Sequence, residues 1–580
     1  MNTGGDRAPK MSVRLRKMGA ALHPGHMRAH RVLAVVLAAA FLALLAVVTT
    51  PPAATPLSGA ASSVEPTARP NIVVVLMDDA SFDLLPTMAA AQDMAAQGAD
   101  YTSAYVVDSL CCVSRTTILT GQYPHQTGVL TNVAGSRSRP RGGWSAFTKY
   151  GNDDRAVNVR LHNNGYTTGF VGKFLNGFAA AGGVRTGPPP GWSEFLPVFE
   201  SAYDGWDFTW AHSIDGAPYT QHHQGAPPAS ASPQRKDAAY AGTFIQQRAL
   251  GFLDDHAGDS APYFLEVAVY ATHSKTTGKS AYPHEHRFPA MFRDQRSKAR
   301  PTGNCGAVSC EDLSSADLLG YGDPRADNRP VRASGRPGPV WQRHSKLKAD
   351  KASALLRDQA RMAQSVDRML QRILATVDDN TYVILTSDNG IHTGQWGLIL
   401  GKGSAYGSDV HVPLVITGPG VTPGTRLGFV SNLDLAPTLE ELAGMPPASY
   451  RSGVSFADSL TDPTEADRRY VYTEHTWSGR GGFDPDAGNT ELITIPTYLA
   501  VRSAEGLLIR YDYDTRPGRS SYAYELYDLT KGVGERTNVY GRPEVAALQH
   551  ELEAKLAEFR ACAPQRRDAD VPQTCRDITR

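Results

Sequence analysis

Two short apolar runs end in acidic and amide residues, a placement that can build a cation site. Asn71 to Met77 runs into Asp78 and Asp79, and Tyr382 to Thr386 leads through Ser387 into Asp388 and Asn389. Neither run alternates and both are rich in β-branched residues, so each reads as a strand buried in a parallel sheet. Open α/β sheets bind ligands outside the carboxyl ends of their strands, where side chains distant in sequence can converge. Three carboxylates crowded together repel and desolvate badly, so a cluster of Asp78, Asp79 and Asp388 makes sense around a cation. Oxygen donors, with Asn389 as the amide, favour a hard ion. Calcium comes before magnesium, because the larger and more adaptable ion suits an irregular carboxylate and amide shell. For either pair alone, the plain alternative is a solvated strand end or a helix cap.

The third feature is Cys111-Cys-Val-Ser-Arg115, continued by Thr-Thr-Ile-Leu to Thr120 and Gly121. Read by itself it is a helix start with two buried thiols. The run resembles the signature of the sulfatase family, in which Cys-x-Pro-Ser-Arg is followed by helix-forming residues and Thr-Gly. In that family a dedicated generating enzyme oxidises the first cysteine to formylglycine. Cys111, Ser114, Arg115, Thr120 and Gly121 match, and Val113 stands where the family has proline.

The resemblance implies formylglycine at position 111 and calcium held by Asp78, Asp79, Asp388, Asn389 and the modified Cys111. It also implies a basic set, as a sulfate ester requires. Gly172-Lys-Phe-Leu-Asn176 follows the expected strand Tyr166 to Val171 and offers Lys173 to grip the sulfate. Ala271-Thr-His-Ser274 follows Tyr263 to Tyr270 and offers His273 to protonate the departing alcohol. Gly401-Lys-Gly-Ser-Ala-Tyr406, ahead of an expected strand from His411 to Ile416, offers Lys402 as a second sulfate-binding lysine. Arg115, one helical turn past Cys111, reaches back toward the nucleophile with a permanent charge. Asn176 and, at the rim of the site, His392 are weaker substrate-binding candidates. The plain readings are a solvated loop lysine and a packed histidine.

By this resemblance, one hydroxyl of the hydrated formylglycine attacks sulfur and the other, losing its proton, expels sulfate, so an unmodified cysteine is inactive. The strongest local resemblance is to the N-acetylglucosamine-6-sulfatase group, through Ser109-Leu-Cys-Cys112, Thr120-Gly-Gln-Tyr-Pro-His125, Gly205-Trp206 and Ser387 to Gln395. A sulfated sugar is the implied substrate. The alternatives are a phosphodiesterase or phosphonate-monoester hydrolase on the same fold, since tetrahedral phosphoryl and sulfuryl groups make similar demands, and a noncatalytic glycan-binding homologue lacking the modification.

The implied architecture is an α/β alkaline-phosphatase-like sandwich with a large, mostly parallel mixed sheet, plus a smaller C-terminal α+β domain with an antiparallel sheet. A chain of 580 residues is long for one core. The expected division is a basic N-terminal region and signal peptide or membrane anchor over 1–50, a linker over 51–68, a catalytic domain over 69–445 and a smaller domain and tail over 446–580. Val32 to Val48 is uninterrupted apolar sequence behind a basic stretch, which makes the protein exported, either secreted or anchored by this segment alone. Zero formal net charge argues against a general polyanion-wrapping surface, and no nucleic-acid module occurs. Residues 293–351 are rich in Gly, Pro and Arg and read as an inserted, solvated loop, the alternative being a substrate-gripping lid for an anionic glycan. Of six cysteines, Cys305 with Cys310 and Cys562 with Cys575 are close enough to close small disulfide loops, leaving Cys111 and Cys112. Phe429 to Gly444 reads as a helix, Tyr498 to Arg502 and Leu507 to Tyr513 as a hairpin, and Glu544 to Arg560 as a last helix.

Overall fold

Ile72 to Met77 is apolar at every position because both faces of its strand are covered. Ile72, Val74 and Leu76 pack with Phe264, Ile384 and Ile416 on one side of the sheet, while Val73, Val75 and Met77 pack with Val383 and Leu385 on the other. The computed structural model describes residues 69–580 apart from 137, 180–182, 184–186, 277–279, 283–285, 324–325, 342–346, 465–467, 478–493, 515, 517, 533 and 564–566. The expected export segment and linker lie outside the described residues. Among those described, no helix is long and apolar enough to cross a membrane.

The large sheet has ten strands, in the order Gly424–Arg426, Ala99–Tyr101, Leu414–Thr417, Thr381–Ser387, Asn71–Met77, Tyr263–Ala268, Thr167–Lys173, Glu194–Glu200, Phe208–Ile214 and Thr220–Gln224. Its centre is parallel, and Leu414–Thr417 and the last two strands run antiparallel to their neighbours. Helices Ala241–Asp255 and Ala349–Thr376 cover one face, and Cys111–Thr120, Val157–Asn163 and Leu435–Leu442 the other. Register decides what meets at the carboxyl end. Met77 stands opposite Ser387, and Gly172 opposite Ala268. Asp78, Asp388 and Lys173 therefore leave the sheet at one edge.

Four strands, Val471–His475, Thr497–Arg502, Gly506–Asp512 and Tyr522–Asp528, form a separate antiparallel sheet. The helix Ala546–Cys562 packs on it through Leu552, Leu556 and Phe559. Both disulfides, Cys305 to Cys310 and Cys562 to Cys575, are formed.

Several elements differ from expectation. The segment read as one helix from Phe429 opens with the strand Val430–Ser431 and the 3-10 turn Asn432–Asp434, and only Leu435–Leu442 is α-helical. The cause is a capping box: Asp434 Oδ2 accepts the Ser431 N–H at 2.7 Å, which starts the helix late. The strand expected from His411 begins at Leu414, behind the helical turn Gly407–Val410. The described residues of 293–351 are not simply solvated. Asp294 and Asn328 are fully buried, Arg368 reaches Asp294 at 2.5 Å, and the Val331 N–H donates to the Tyr524 carbonyl at 2.8 Å.

The helix that begins at Cys111 is tied down at its far end. Gly121 caps it in the left-handed region at φ 61°, and a Cβ there would meet the Arg451 side chain at 3.0 Å. Arg451 forks onto Glu440 at 2.7 and 2.8 Å and donates to the Thr120 carbonyl at 2.5 Å, with both members of the pair fully buried. Arg451→Met is expected to lower unfolding free energy by about 3 kcal/mol, read as a shift in guanidinium midpoint, because it leaves a buried carboxylate short of partners.

A candidate active site at the carboxyl end of the sheet

Cys111 is the first residue of its helix and has no solvent exposure. The Leu110 N–H donates to Asp108 Oδ1 at 2.9 Å and the Cys112 N–H to Asn132 Oδ1 at 3.0 Å, which supplies acceptors at the helix start. Cys111 Sγ lies 3.4 Å from Asp78 Oδ1, 3.9 Å from Asp79 Oδ1 and 2.8 Å from Lys402 Nζ. Asp79 takes φ 61°, a left-handed conformation that aspartate tolerates better than most residues, immediately past the central strand. Gly172 lies so close to the next strand that a Cβ would meet the Ala268 carbonyl oxygen at 1.8 Å, so only glycine lets Lys173 follow at this spot.

Charges pair one to one. Lys173 Nζ is 2.5 Å from Asp78 Oδ2, Lys402 Nζ 2.5 Å from Asp79 Oδ1, and Arg115 Nε 2.8 Å from Asp388 Oδ2. Burial pushes the Asp78 carboxyl up, but Lys173, His273, Arg115 and Lys402 outweigh it and hold the group at about 2. Asp388 is raised, with burial as the largest cause and Arg115 opposing. Burial disfavours the Lys173 ammonium, and Asp78 overrides it, so its pKa stands well above the ordinary lysine value. Burial alone dominates at Cys112, whose thiol is pushed up to about 12 and stays protonated.

Asn389 Nδ2 donates to Asp79 Oδ1 at 2.6 Å, and its Oδ1 is buried with no hydrogen-bond partner. Asp388 Oδ1 accepts the Asp79 N–H at 3.2 Å. Arg115 clamps Asp388 and donates through Nη1 to the Lys173 carbonyl at 2.8 Å, with Nη2 buried and unpartnered, while its charge also acts on Cys111. His273 Nδ1 lies 2.5 Å from the Ser274 carbonyl, which makes Nδ1 the donor and turns Nε2 toward Asp79 Oδ2 at 3.5 Å.

Asp78, Asp79, Asp388, Asn389, Cys111, Arg115, Lys173, His273 and Lys402 thus form one continuous network. Asn176 is buried: its carbonyl accepts the Trp144 N–H at 2.8 Å, and both polar atoms of its side chain are without a partner. His392, expected at the rim, is instead fully buried, with Nδ1 2.8 Å from Asp409. Among the described residues, Asp78, Asp79, Cys111 and His273 form a group whose ligand atoms all lie within 4.8 Å of one another. Asp388 and Asn389 join that set through Asp79.

Tyr203 has no motif to announce it. It comes from the 3-10 turn Ser201–Asp204, and its ring lies 4.9 Å from Lys173 Nζ and 4.7 Å from the His273 ring, walling both.

A family model described as Sulfatase matches residues 70–445, and one described as N-sulphoglucosamine sulphohydrolase, C-terminal, matches residues 394–562. The chain is 27% identical over 509 residues to the N-acetylglucosamine-6-sulfatase of Homo sapiens, covering 82% of this chain and 81% of that protein. A solved structure described as a complex with its substrate D-glucosamine-2-N,6-O-disulfate matches with a TM-score of 0.59 at 19% identity, covering 87% of this chain and 100% of the other. The phosphonate monoester hydrolase of Silicibacter pomeroyi matches with a TM-score of 0.52 at 19% identity, covering 85% and 95%. At these identities the two solved structures share the fold.

Proposed function

The chain belongs to the sulfatase family, and we propose that this sulfuric ester hydrolase removes sulfate from a sulfated sugar, using formylglycine at position 111 and a calcium ion. The observation that carries the reading is the position of Cys111 Sγ, buried between Asp78 and the Lys402 ammonium at 3.4 and 2.8 Å.

The residues fit a hard cation. Asp78, Asp79 and Asp388 supply carboxylate oxygens, and the unpartnered Oδ1 of Asn389 is a buried acceptor that lacks a donor. His273 is kept out of the ligand set, because a nitrogen donor suits softer metals and its Nε2 is placed to serve as an acid. Charge supports the same assignment. Three carboxylates already face three fixed cations, so a divalent ion and a sulfate dianion enter together without unbalancing the pocket.

When present, the hydrated aldehyde supplies a pair of hydroxyls and the calcium lowers the pKa of one of them. Lys173 and Lys402 hold the sulfuryl oxygens and neutralise the charge that builds on them. His273 gives its Nε2 proton to the departing alcohol, and Arg115 holds Asp388 in place and opposes the burial that raises its pKa. Asn176, with its amide unpaired, is the sugar-facing candidate. His392 is held against Asp409.

The reading keeps a catalytic unit over 69–445 and a smaller C-terminal unit over 446–580. Two disulfides support maturation in an oxidising compartment, in line with the basic and apolar N-terminus and with modification by a formylglycine-generating enzyme during export.

Mass spectrometry of the peptide spanning Cys111, from protein made in its own host, tests the modification: an aldehyde or its hydrate supports it, and intact thiol in every molecule defeats it. Turnover of an aryl sulfate set against an aryl phosphate diester tests the substrate class, and a preference for the diester defeats it. Lys173→Met and Lys402→Ala are each expected to lower kcat/KM on the aryl sulfate by about 10²- to 10³-fold, the scale of losing one charge-stabilising donor.

A further inference from the structure

The loop that carries Lys402 is held largely from outside the large sheet. Within the catalytic unit, Ser109 Oγ accepts the Gly403 N–H at 3.0 Å, and Asp409 accepts the Ser404 N–H and hydroxyl at 2.9 and 2.6 Å. Further anchors come from the small sheet and the segment after it, and they engage residue after residue. Tyr498 Oη donates to the Gly403 carbonyl at 3.1 Å, and Arg502 Nη2 to the Ala405 carbonyl at 3.4 Å. Tyr406 Oη donates to Glu525 Oε2 at 2.7 Å, and Glu535 Oε1 accepts the Gly407 N–H at 3.0 Å while pairing with Arg502 at 2.5 Å. Tyr511 and Tyr527 donate to the same Glu525 oxygen at 3.2 and 2.8 Å.

All these side chains are buried, Glu525 completely. A buried acid bound by three phenols and a buried Arg502 to Glu535 pair do little for stability that apolar packing would not do as well. What they provide is a single fixed geometry, because every member of such a network has a defined partner. The geometry they fix is that of the backbone that follows Lys402, from Gly403 to Gly407. The family match that begins at residue 394 likewise takes the loop and the small sheet as one unit.

We propose that the small sheet is the positioning frame for Lys402, with Tyr498, Arg502 and Glu525 setting where its ammonium stands between Asp79 Oδ1 and Cys111 Sγ, at 2.5 and 2.8 Å. The proposal rests on the role of Lys402 in holding sulfate. A lysine side chain is long and flexible, so its charge reaches the sulfuryl oxygens reproducibly only if its backbone is held; a shift of about 1 Å costs on the order of 10²-fold in rate. Tyr498, Arg502 and Glu525 touch neither substrate nor metal in this scheme. They act through the loop.

The test is a double-mutant cycle on the full chain. Tyr498→Phe removes one hydroxyl and keeps the ring that stacks on His475 at 5.3 Å. It is measured alone and in a Lys402→Ala background, by isothermal titration with inorganic sulfate and by kcat and KM on an aryl sulfate, with thermal unfolding as the control for folding. Tyr498→Phe alone is expected to weaken sulfate binding and kcat/KM by about tenfold, and in the Lys402→Ala background by less than about twofold, because the group it positions is gone. A tenfold loss that persists without Lys402, or no loss in the single variant, overturns the inference. If Lys402→Ala itself changes neither sulfate affinity nor turnover, the sulfate-binding role of Lys402 falls first and the positioning claim falls with it.

Discussion

Replacing Cys111 by serine lowers kcat on an aryl sulfate by at least about 10⁴-fold, within the range seen when a covalent nucleophile is removed. Folding is spared. The side chain is fully buried, sulfur and oxygen differ little in size, and the helix start keeps the Asp108 and Asn132 acceptors. A serine carries one hydroxyl where a hydrated aldehyde carries two, so the variant lacks the second group needed to expel sulfate. The Lys173 and Lys402 ammonium groups remain, and sulfate affinity by titration stays within about threefold of the parent, because binding and turnover draw on different groups. Activity within tenfold of the parent would move the nucleophile elsewhere in the network. Val113 gives the comparison its edge: it is fully buried at the third helical position, where the family has proline. Peptide mass therefore has to be read alongside kcat for the unsubstituted chain.

Much of this site is legible in the chain because strands announce their ends. Non-alternating apolar runs stop at Asp78 and Ser387, and parallel register brings those stops to one edge. Lys173 and His273 follow strands of the same kind, which is why residues more than a hundred positions apart meet. The signals fail where geometry comes from irregular backbone. Tyr203 sits on a 3-10 turn with no periodicity, and the clamp of Arg115 on Asp388 is set by a tertiary partner 273 residues away. His392 looks like a rim residue beside Asp388 and Asn389, yet Asp409 draws it inward from 17 residues on. The frame around Lys402 was hidden for the same reason: Tyr498 and Arg502 read as ordinary strand residues until the antiparallel pairing shows which of their atoms face the loop.

Asp388→Asn separates the cation from the rest of the machinery. Asp388 has two duties: it neutralises Arg115 at 2.8 Å and presents a carboxylate oxygen beside Asp79. An amide keeps the shape and one acceptor for Arg115 but removes the charge that a hard cation needs. Calcium bound per chain, measured by atomic emission after dialysis, is expected to fall at least about tenfold, and kcat/KM by at least about 10³-fold, since an electrostatic stabiliser and a nucleophile activator are lost together. Asp388→Ala goes further. It strands a buried guanidinium whose Nη2 already lacks a partner, and a cost of about 3–5 kcal/mol in unfolding free energy is expected beyond the loss of metal. Excess calcium raises the melting temperature of the parent chain, because the ion binds the folded state alone, and leaves that of Asp388→Asn unchanged. Equal calcium content in parent and Asp388→Asn chains would take Asp388 out of the ligand set and leave Asp78, Asp79 and His273 as the groups to test next.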